Sequence, residues 1–320
     1  MDMLDGLLDG PRARSAFLLR SILTPPWAMR IEDESPLTVL TVVEGSAWIL
    51  VPDAEPVRLL PGDVAVATGP EHYTVADRPD TEPTVIILPG QVCTSAADGR
   101  SLVDEWHLGV RTWGRPSEGA TVLFTASYER AGEVSRPLLA ALPPLLVLTR
   151  QDWDSPLLPL LIREVGRDGP GQRAMLDRLL DALLIALLRA WFAGRRDRAP
   201  AWYRAQADPV VGRALQLLQH QPARPWTVAA LAAEVGVSRA VLARRFTDLV
   251  GEPPMAYLTG WRLALAADLL CQPDLTLEAV ARQVGYASAF ALSSAFKRER
   301  GISPQEHRRL VAESDRTRAD

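Results

Sequence analysis

The helical spacing of apolar residues is most regular between residues 209 and 310, where one pattern occurs twice. The two copies begin at Thr227 and Thr276, and each is typical of a helix, a tight turn and a second helix. A Thr or Ser caps the start of each helix, and a Gly in each turn accepts the left-handed conformation that ends a helix. The turn residues are Gly236 and Ser238 in the first copy, and Gly285 and Ser288 in the second. The pattern therefore predicts two helix-turn-helix units.

The second helix of each copy has an inward and an outward face. The inward faces carry the predicted core residues Leu242, Phe246 and Leu249 in the first copy, and Leu292 and Phe296 in the second. The outward faces are small, polar or basic, which suits a helix in the major groove of DNA, although a solvated surface is the alternative. An outward Phe favours DNA, because it suits contact with a thymine methyl group. The residues predicted to contact DNA are Arg239, Ala240, Ala243, Arg244, Thr247, Phe290, Ser293, Ser294 and Lys297.

A third helical pattern, from Pro254 to Cys271, separates the two copies. A helix of that length spans about 27 Å at 1.5 Å per residue. It can therefore hold two DNA-contacting helices about one turn of DNA, ~34 Å, apart.

The C-terminal pattern resembles the AraC family of bacterial transcription regulators over about 100 residues. The motifs that carry the resemblance lie at 251–258 (Gly-Glu-Pro-Pro-Met-Ala-Tyr-Leu), 261–266, 280–286, 296–298 and 301–304. The resemblance implies sequence-specific binding of double-stranded DNA, with RNA polymerase as a further candidate partner. Many members carry an Arg near Ser294 and an aromatic residue or Gln at Ala240, so this chain departs from the family at both positions, while it keeps Arg244.

From Leu37 onward the apolar spacing changes to that of short β-strands, punctuated by Gly and Pro. The predicted strands are 37–43, 46–51, 57–60, 64–67, 73–76, 84–88 and 121–128. They predict a β-sandwich or barrel, preceded by one amphipathic helix over residues 1–20. The segments 42–48 and 60–67, followed by His72, resemble a cupin barrel, which is the sensing domain of many AraC-type proteins.

Candidate effector or sensor residues in this half are His72, Cys93 and Trp48. No His-x-His pair or other spaced ligand set is present, so we predict neither a metal nor a cofactor. His72 is better explained as a hydrogen-bonded pocket or loop residue than as a ligand. Cys93 is either inert filler or a redox-sensing thiol, which would need exposure and a lowered pKa. Cys271 is predicted to be a core residue. Residues 91–118 are predicted to be rich in loops, with Trp106 and Trp113 at the barrel mouth or in packing.

Helical patterns return at 135–142, 156–167 and 172–193. The last is apolar nearly all round, but Asp177, Asp181 and Arg189 interrupt it too often for a membrane span. A second copy of the chain is the predicted partner of this helix, with Leu183 and Leu187 in the interface. Residues 194–208 are the predicted linker, and Asp208 is the predicted N-cap of the next helix.

The expected fold is therefore α+β and multidomain. The predicted parts are a cupin-like β-barrel over 1–134, a helical dimerisation segment over 135–193, the linker, an all-α double helix-turn-helix over 209–310 and a disordered tail over 311–320. The net charge is −4, but residues 205–320 carry 14 Lys and Arg against 12 Asp and Glu, which mildly favours a DNA-binding end. The absence of a basic leader and the two cysteines favour the cytoplasm.

The leading hypothesis is a DNA-binding regulator controlled by a small molecule or an oxidant at the cupin-like domain. A metal-dependent cupin enzyme with an appended helical module is the alternative, disfavoured because its ligands and any catalytic triad are missing. A helical adaptor that uses the repeats for protein contacts is a third hypothesis, which steep salt dependence of DNA binding would exclude.

Overall fold

The computed structural model describes residues 16–69, 71–115, 120–128, 136–194, 199–272 and 274–319. These residues form two compact units. The N-terminal unit runs from Ala16 to Gly194, except for residues 136 and 137, and the C-terminal unit includes everything described from Ala199 onward.

The N-terminal unit contains thirteen strands within the described residues. They are β1 (Ala16–Leu23), β2 (Ala28–Ile31), β3 (Leu37–Glu44), β4 (Ala47–Leu50), β5 (Val57–Leu59), β6 (Val64–Ala67), β7 (Tyr73–Ala76), β8 (Val85–Leu88), β9 (Val92–Ser95), β10 (His107–Gly109), β11 (Thr112–Gly114), β12 (Thr121–Tyr128) and β13 (Leu145–Leu148). A seven-stranded sheet has the order β10-β11-β1-β12-β3-β6-β13, and a six-stranded sheet has the order β5-β4-β7-β2-β8-β9.

One core lies between the two sheets, because inward residues of both belong to a single apolar cluster. Leu123 of β12 and Leu59 of β5 are fully buried in it, and Trp27 lies there with 3% of its surface exposed. Side chains alternate along each strand, so Ala47 and Ile49 of β4 face this core while Trp48 between them does not. The arrangement confirms a β-rich N-terminal domain, which the sequence predicts as a sandwich or a cupin-like barrel.

Two sequence expectations for this unit were wrong. Residues 16–20 belong to β1 rather than to a helix, because β1 pairs with β12 over its full length, from Ala16 opposite Tyr128 to Leu23 opposite Thr121. Residues 1–15 of that predicted helix lie outside the described residues. The segment 91–118 is rich in loops in its described part, as predicted, and it also contains the short strands β9, β10 and β11. Within the expected helical segment, β13 completes the seven-stranded sheet by pairing with β6.

The short helix α1 (Arg136–Leu139) lies between β12 and β13, and two helices follow β13: α2 (Leu157–Val165) and α3 (Gln172–Gly194). The long helix α3 packs against α2. Leu180, Leu183 and Leu187 of α3 have none of their surface exposed. The residues expected at an interface with a second copy are therefore core residues of their own chain. None of the helices in the described ranges is long and apolar enough to span a membrane.

The C-terminal unit consists of helices throughout its described residues. They are α4 (Ala201–Ala205), α5 (Pro209–His220), α6 (Val228–Glu234), α7 (Arg239–Val250), α8 (Pro254–Leu270), α9 (Leu277–Val284), α10 (Ala289–Arg300) and α11 (Pro304–Ala319). One apolar core is built from α4 to α7 and the first half of α8, and a second from the rest of α8 with α9 and α10.

Three expectations for the C-terminal unit were also wrong. The expected linker contains α4, whose Ala205 is fully buried and whose Trp202 packs on the first core. The expected disordered tail is helical, because α11 continues to Ala319. Cys271 is exposed rather than in the core, since it lies at the C-cap of α8 beyond the last buried turn.

Candidate DNA-binding interface

Four hydroxyl caps and two glycines give both helix-turn-helix units their shape, as the sequence predicts. Thr227 and Thr276 cap α6 and α9 by accepting hydrogen bonds from the backbone N–H groups of Ala230 and Ala279. Ser238 and Ser288 cap the second helices, α7 and α10, in the same way. The turn glycines Gly236 and Gly285 have φ angles of 73° and 84°, which only glycine adopts without strain.

The outward face of α7 is open to solvent. Its inward Leu242 and Phe246 are completely buried, and Leu249 is half-buried, as predicted. Arg239, Ala240 and Arg244 are exposed, while Ala243 and Thr247 are half-buried. The Thr247 hydroxyl donates to the carbonyl oxygen of Ala243 at 2.9 Å, so toward a ligand it is limited to accepting a hydrogen bond.

Two adjacent arginines of α7 have different surroundings. Arg245 points back to the first core region and pairs with Asp208, with 2.5 Å between its Nη2 and the Asp208 Oδ2. Within the described part of the chain, the guanidinium of Arg244 makes no ion pair or hydrogen bond. All five N–H donors of Arg244 are therefore available to a base or a phosphate.

Asp208 is also the N-cap of α5, as predicted, and accepts from the N–H groups of Val210 and Val211. Partial burial acts to raise the pKa of its carboxyl group. The hydrogen bonds from the two valine N–H groups and the Arg245 guanidinium outweigh that effect and hold the pKa below its usual value. Sequence reasoning missed Arg245, because 37 residues separate it from Asp208 and no local pattern links them.

The outward face of α10 has a different chemical character. Phe290 at its start is 81% exposed, Ser294 and Lys297 are exposed, and Ser293 is half-buried. Lys297, Arg298 and Arg300 make the last turn basic. Arg298 lies 3.2 Å from Glu299, whereas Lys297 has no ion-pair partner among the described residues. Sequence reasoning also missed Val241 of α7, which is 39% exposed on the first turn.

The candidate effector residues do not form one site. Cys93 of β9 faces the core, whereas Trp48 of β4 lies on the other face of the same sheet, several strands away. The side chain of His72 is 46% exposed, with its Nδ1 3.9 Å from Glu32 Oε1. Burial raises the pKa of the Cys93 thiol to about 11. In the described residues, no group of three or more His, Cys, Asp and Glu side chains could hold a metal ion.

Two helix-turn-helix units on one shared helix, which follow a two-sheet β domain in the sequence, are typical of a DNA-binding regulator. A family model described as a cupin matches residues 2–193, and a helix-turn-helix domain model matches residues 231–310. An AraC-like transcription regulator of Streptomyces lividans is 31% identical over 97% of this chain and 98% of its own length. The chain belongs to the AraC family of transcription regulators and binds DNA.

Two further proteins are similar to this chain. The helix-turn-helix transcriptional regulator AlkR of Acinetobacter baylyi is 28% identical over 96% of this chain and 99% of its own length. The solved DNA-binding domain of AdpA, described as a global transcriptional factor in complex with a target DNA, is 33% identical. The similarity covers 32% of this chain and 92% of the AdpA domain, with a TM-score of 0.30.

Proposed function

We propose that this regulator recognises its operator sequence mainly through α7, and that α10 holds the protein on the DNA backbone. A small molecule that binds the cupin domain sets the DNA affinity. The observation that carries the proposal is the difference between the outward faces of α7 and α10.

The outward face of α7 suits base recognition. Arg244 is exposed and has no competing partner among the described residues, and a guanidinium binds the two acceptors of a guanine edge with two parallel hydrogen bonds. Small Ala240 on the same face supports close approach of the helix to the groove.

The outward face of α10 suits backbone contact. Ser294 offers a hydroxyl that donates or accepts, so it discriminates poorly between bases. Lys297 carries a point charge in the last turn of the helix, which suits a phosphate. Phe290 adds an apolar contact to thymine methyl groups, which gives α10 a weaker sequence preference than α7.

Control by the N-terminal half requires an effector that binds two states of the protein with different affinity. A small molecule fits the buried, high-pKa state of Cys93 better than an oxidant does, because oxidation proceeds through the thiolate. We also propose a homodimer through the outer face of α3, where Met175, Leu179, Ala182 and Ala186 follow a heptad-like spacing and none is fully buried.

We propose that the protein is a regulator and not a metal-dependent cupin enzyme. Metal analysis of the purified full chain separates the two: a stoichiometric bound transition metal would support the enzyme. DNA binding that weakens steeply with salt would support the regulator and count against a helical adaptor that uses the repeats for protein contacts.

The experiment is a salt titration of DNA binding by the full chain. The probe is a duplex selected from random sequence by the wild-type protein. Lys297→Ala is expected to lower the slope of log affinity against log salt by about one unit and to weaken binding to selected and random duplexes equally. Glu299→Gln on the same turn is the control, and it removes no positive charge. An unchanged slope for Lys297→Ala would show that Lys297 contacts no phosphate, and it would contradict the proposed role of α10.

A further inference from the structure

The two helix-turn-helix units have separate cores on one shared helix. Leu258 and Trp261 in the first half of α8 belong to the first core, and Leu263 and Leu270 belong to the second. Apart from Leu265, which packs against both cores, the two cores are built from different residues. The orientation of one unit relative to the other therefore depends on α8 and on the contacts that bridge the two units beside it.

One such bridge joins the turn of the second unit to the loop that precedes α6 in the first. Gly285 ends α9, and its backbone lies directly against residues 222 and 223. A Cβ atom at Gly285 would lie 2.7 Å from the Cα of Ala223 and 2.8 Å from the carbonyl oxygen of Pro222. A real Cβ atom essentially never makes contacts that short, so any side chain here would push the two helix-turn-helix units apart.

Arg262 of α8 also binds this loop, through two hydrogen bonds to its backbone. Its Nε donates to the carbonyl oxygen of Pro222 at 2.8 Å, and its Nη2 donates to the carbonyl oxygen of Arg224 at 2.9 Å. The Nη2 would also lie 2.9 Å from a Cβ at Gly285, so Arg262, the loop and the glycine form one contact. Burial lowers the pKa of the Arg262 guanidinium, as expected for a group held away from water.

Contacts within the loop and between the loop and α6 hold it in place. The indole N–H of Trp226 donates to the carbonyl oxygen of Gln221 at 3.0 Å. Arg224 stacks on the Trp226 ring at 4.1 Å and pairs with Glu234 of α6 at 2.6 Å. The loop therefore moves with α6, and α6 packs on α7.

We infer that Gly285 and Arg262 are positioning residues that fix the angle between α7 and α10 and thereby select the spacing of the two half-sites in DNA. The selection of spacing rests on the proposed function, because it requires both helices to contact DNA. The fixed angle is a property of the protein alone, so the two can fail separately.

The chain offers a matched control for the glycine. Gly236 occupies the equivalent turn of the first unit, with a similar φ of 73°, but a Cβ there would meet no atom within 4 Å. Gly236→Ala and Gly285→Ala therefore carry the same backbone strain, and the collision occurs in Gly285→Ala alone.

The first measurement is a distance distribution between spin labels at exposed positions 248 of α7 and 299 of α10, in the full chain with Cys271 replaced by Ser. Gly285→Ala and Arg262→Ala are expected to shift or broaden the distribution, and Gly236→Ala to leave it unchanged. If Gly285→Ala does not fold, Arg262→Lys serves instead, because it keeps the charge but loses the two-pronged donor. An unchanged distribution for the foldable variants, or an equal change in Gly236→Ala, would overturn the inference.

The second measurement is the affinity of the wild type and of each variant for three duplexes. The first is the duplex selected by the wild type, the second is the same duplex with one base pair inserted between its half-sites, and the third has the α10 half-site randomised. Wild type is expected to lose affinity on insertion. Gly285→Ala is expected to bind the intact duplex at least about tenfold more weakly, with little penalty for insertion, because a rigid pair of sites binds better than a loose one. Gly236→Ala should keep the wild-type spacing preference.

The outcomes separate the two claims. Loss of nearly all specific affinity when the α10 half-site is randomised would contradict the proposed function, which gives α10 only a weak sequence preference. The spin-label result would still decide whether the junction fixes the angle. A wild-type spacing preference that Gly285→Ala and Arg262→Ala both retain would contradict the inference and leave the proposed function standing.

Discussion

Asp208 and Arg245 link the N-terminus of one helix to the side of another, with the Asp208 carboxylate bound at once by the α5 backbone and by the Arg245 guanidinium of α7. The side chain of Asp208 is only 14% exposed, so little water competes for it. This contact holds α7 against the start of α5, and it leaves the neighbouring Arg244 facing outward.

We predict that Asp208→Ala lowers the free energy of unfolding of the C-terminal unit by about 1–2 kcal/mol, because it removes an N-cap and an ion pair together. Thermal unfolding of the full chain followed by circular dichroism measures this. Asp208→Asn is the matched variant, since Asn also caps helices well but carries no charge. Equal stability of Asp208→Ala and wild type would show that the contact contributes nothing.

The same residue predicts a pH dependence. The folded-state pKa of Asp208 lies below its ordinary value of 3.8, so its contribution to stability is complete above that value and is lost as the pH falls through the folded-state pKa. Asp208→Asn should therefore approach wild-type stability in acid and fall behind it near neutral pH. A stability difference between the two that is constant across this window would contradict a stabilising role for the ion pair.

The packing of α3 leads to contrasting predictions for two sets of variants. Leu183→Asp should unfold the N-terminal unit, because it buries an unpaired charge in the core of its own chain. Met175→Asp with Ala182→Asp should keep the fold and convert a dimer into monomers, since Met175 is 42% exposed and Ala182 is half-buried. Light scattering and circular dichroism together test both. A monomeric wild-type chain would contradict the proposed homodimer.

The two cysteines should differ in reactivity. Cys93 is buried with a pKa of about 11, whereas Cys271 is exposed. At about pH 8 we expect iodoacetamide to modify Cys271 in the folded protein while Cys93 reacts slowly, because the thiolate is the reactive form. Peptide mass spectrometry over time measures both rates. Fast modification of Cys93 would restore the oxidant-sensing hypothesis for the cupin domain.

The parts of the fold that the sequence predicted are those governed by local rules. The caps at Thr227, Ser238, Thr276 and Ser288 need only neighbouring backbone groups, and the inward positions of α7 and α10 need only the helical period. β1 was misjudged because its apolar spacing suits a short helix equally well, and its pairing with β12 lies about a hundred residues away. The sequence did not reveal strand β13, because its partner β6 lies about eighty residues earlier in the chain.

The candidate site divides in the same way. The exposure of Arg244 and Phe290 follows from helical spacing, so the sequence was sufficient to select them. The different use of Arg244 and Arg245 depends on Asp208, and the bridge from Gly285 to Ala223 joins two units that each look complete in the sequence. Contacts between distant segments leave no periodic signal in the sequence, so the sequence alone does not reveal them.

The division of labour between α7 and α10 is tested most directly by selecting bound DNA sequences from a random pool with the full chain and its variants. Arg244→Ala is expected to change which bases are preferred in one half-site, at a cost of about 1–3 kcal/mol in specific binding. Ser293→Ala with Ser294→Ala is expected to leave the preferred sequence nearly unchanged. If the double serine variant alters base preference more than Arg244→Ala does, α10 is the helix that recognises sequence, and the proposed roles of the two helices are wrong.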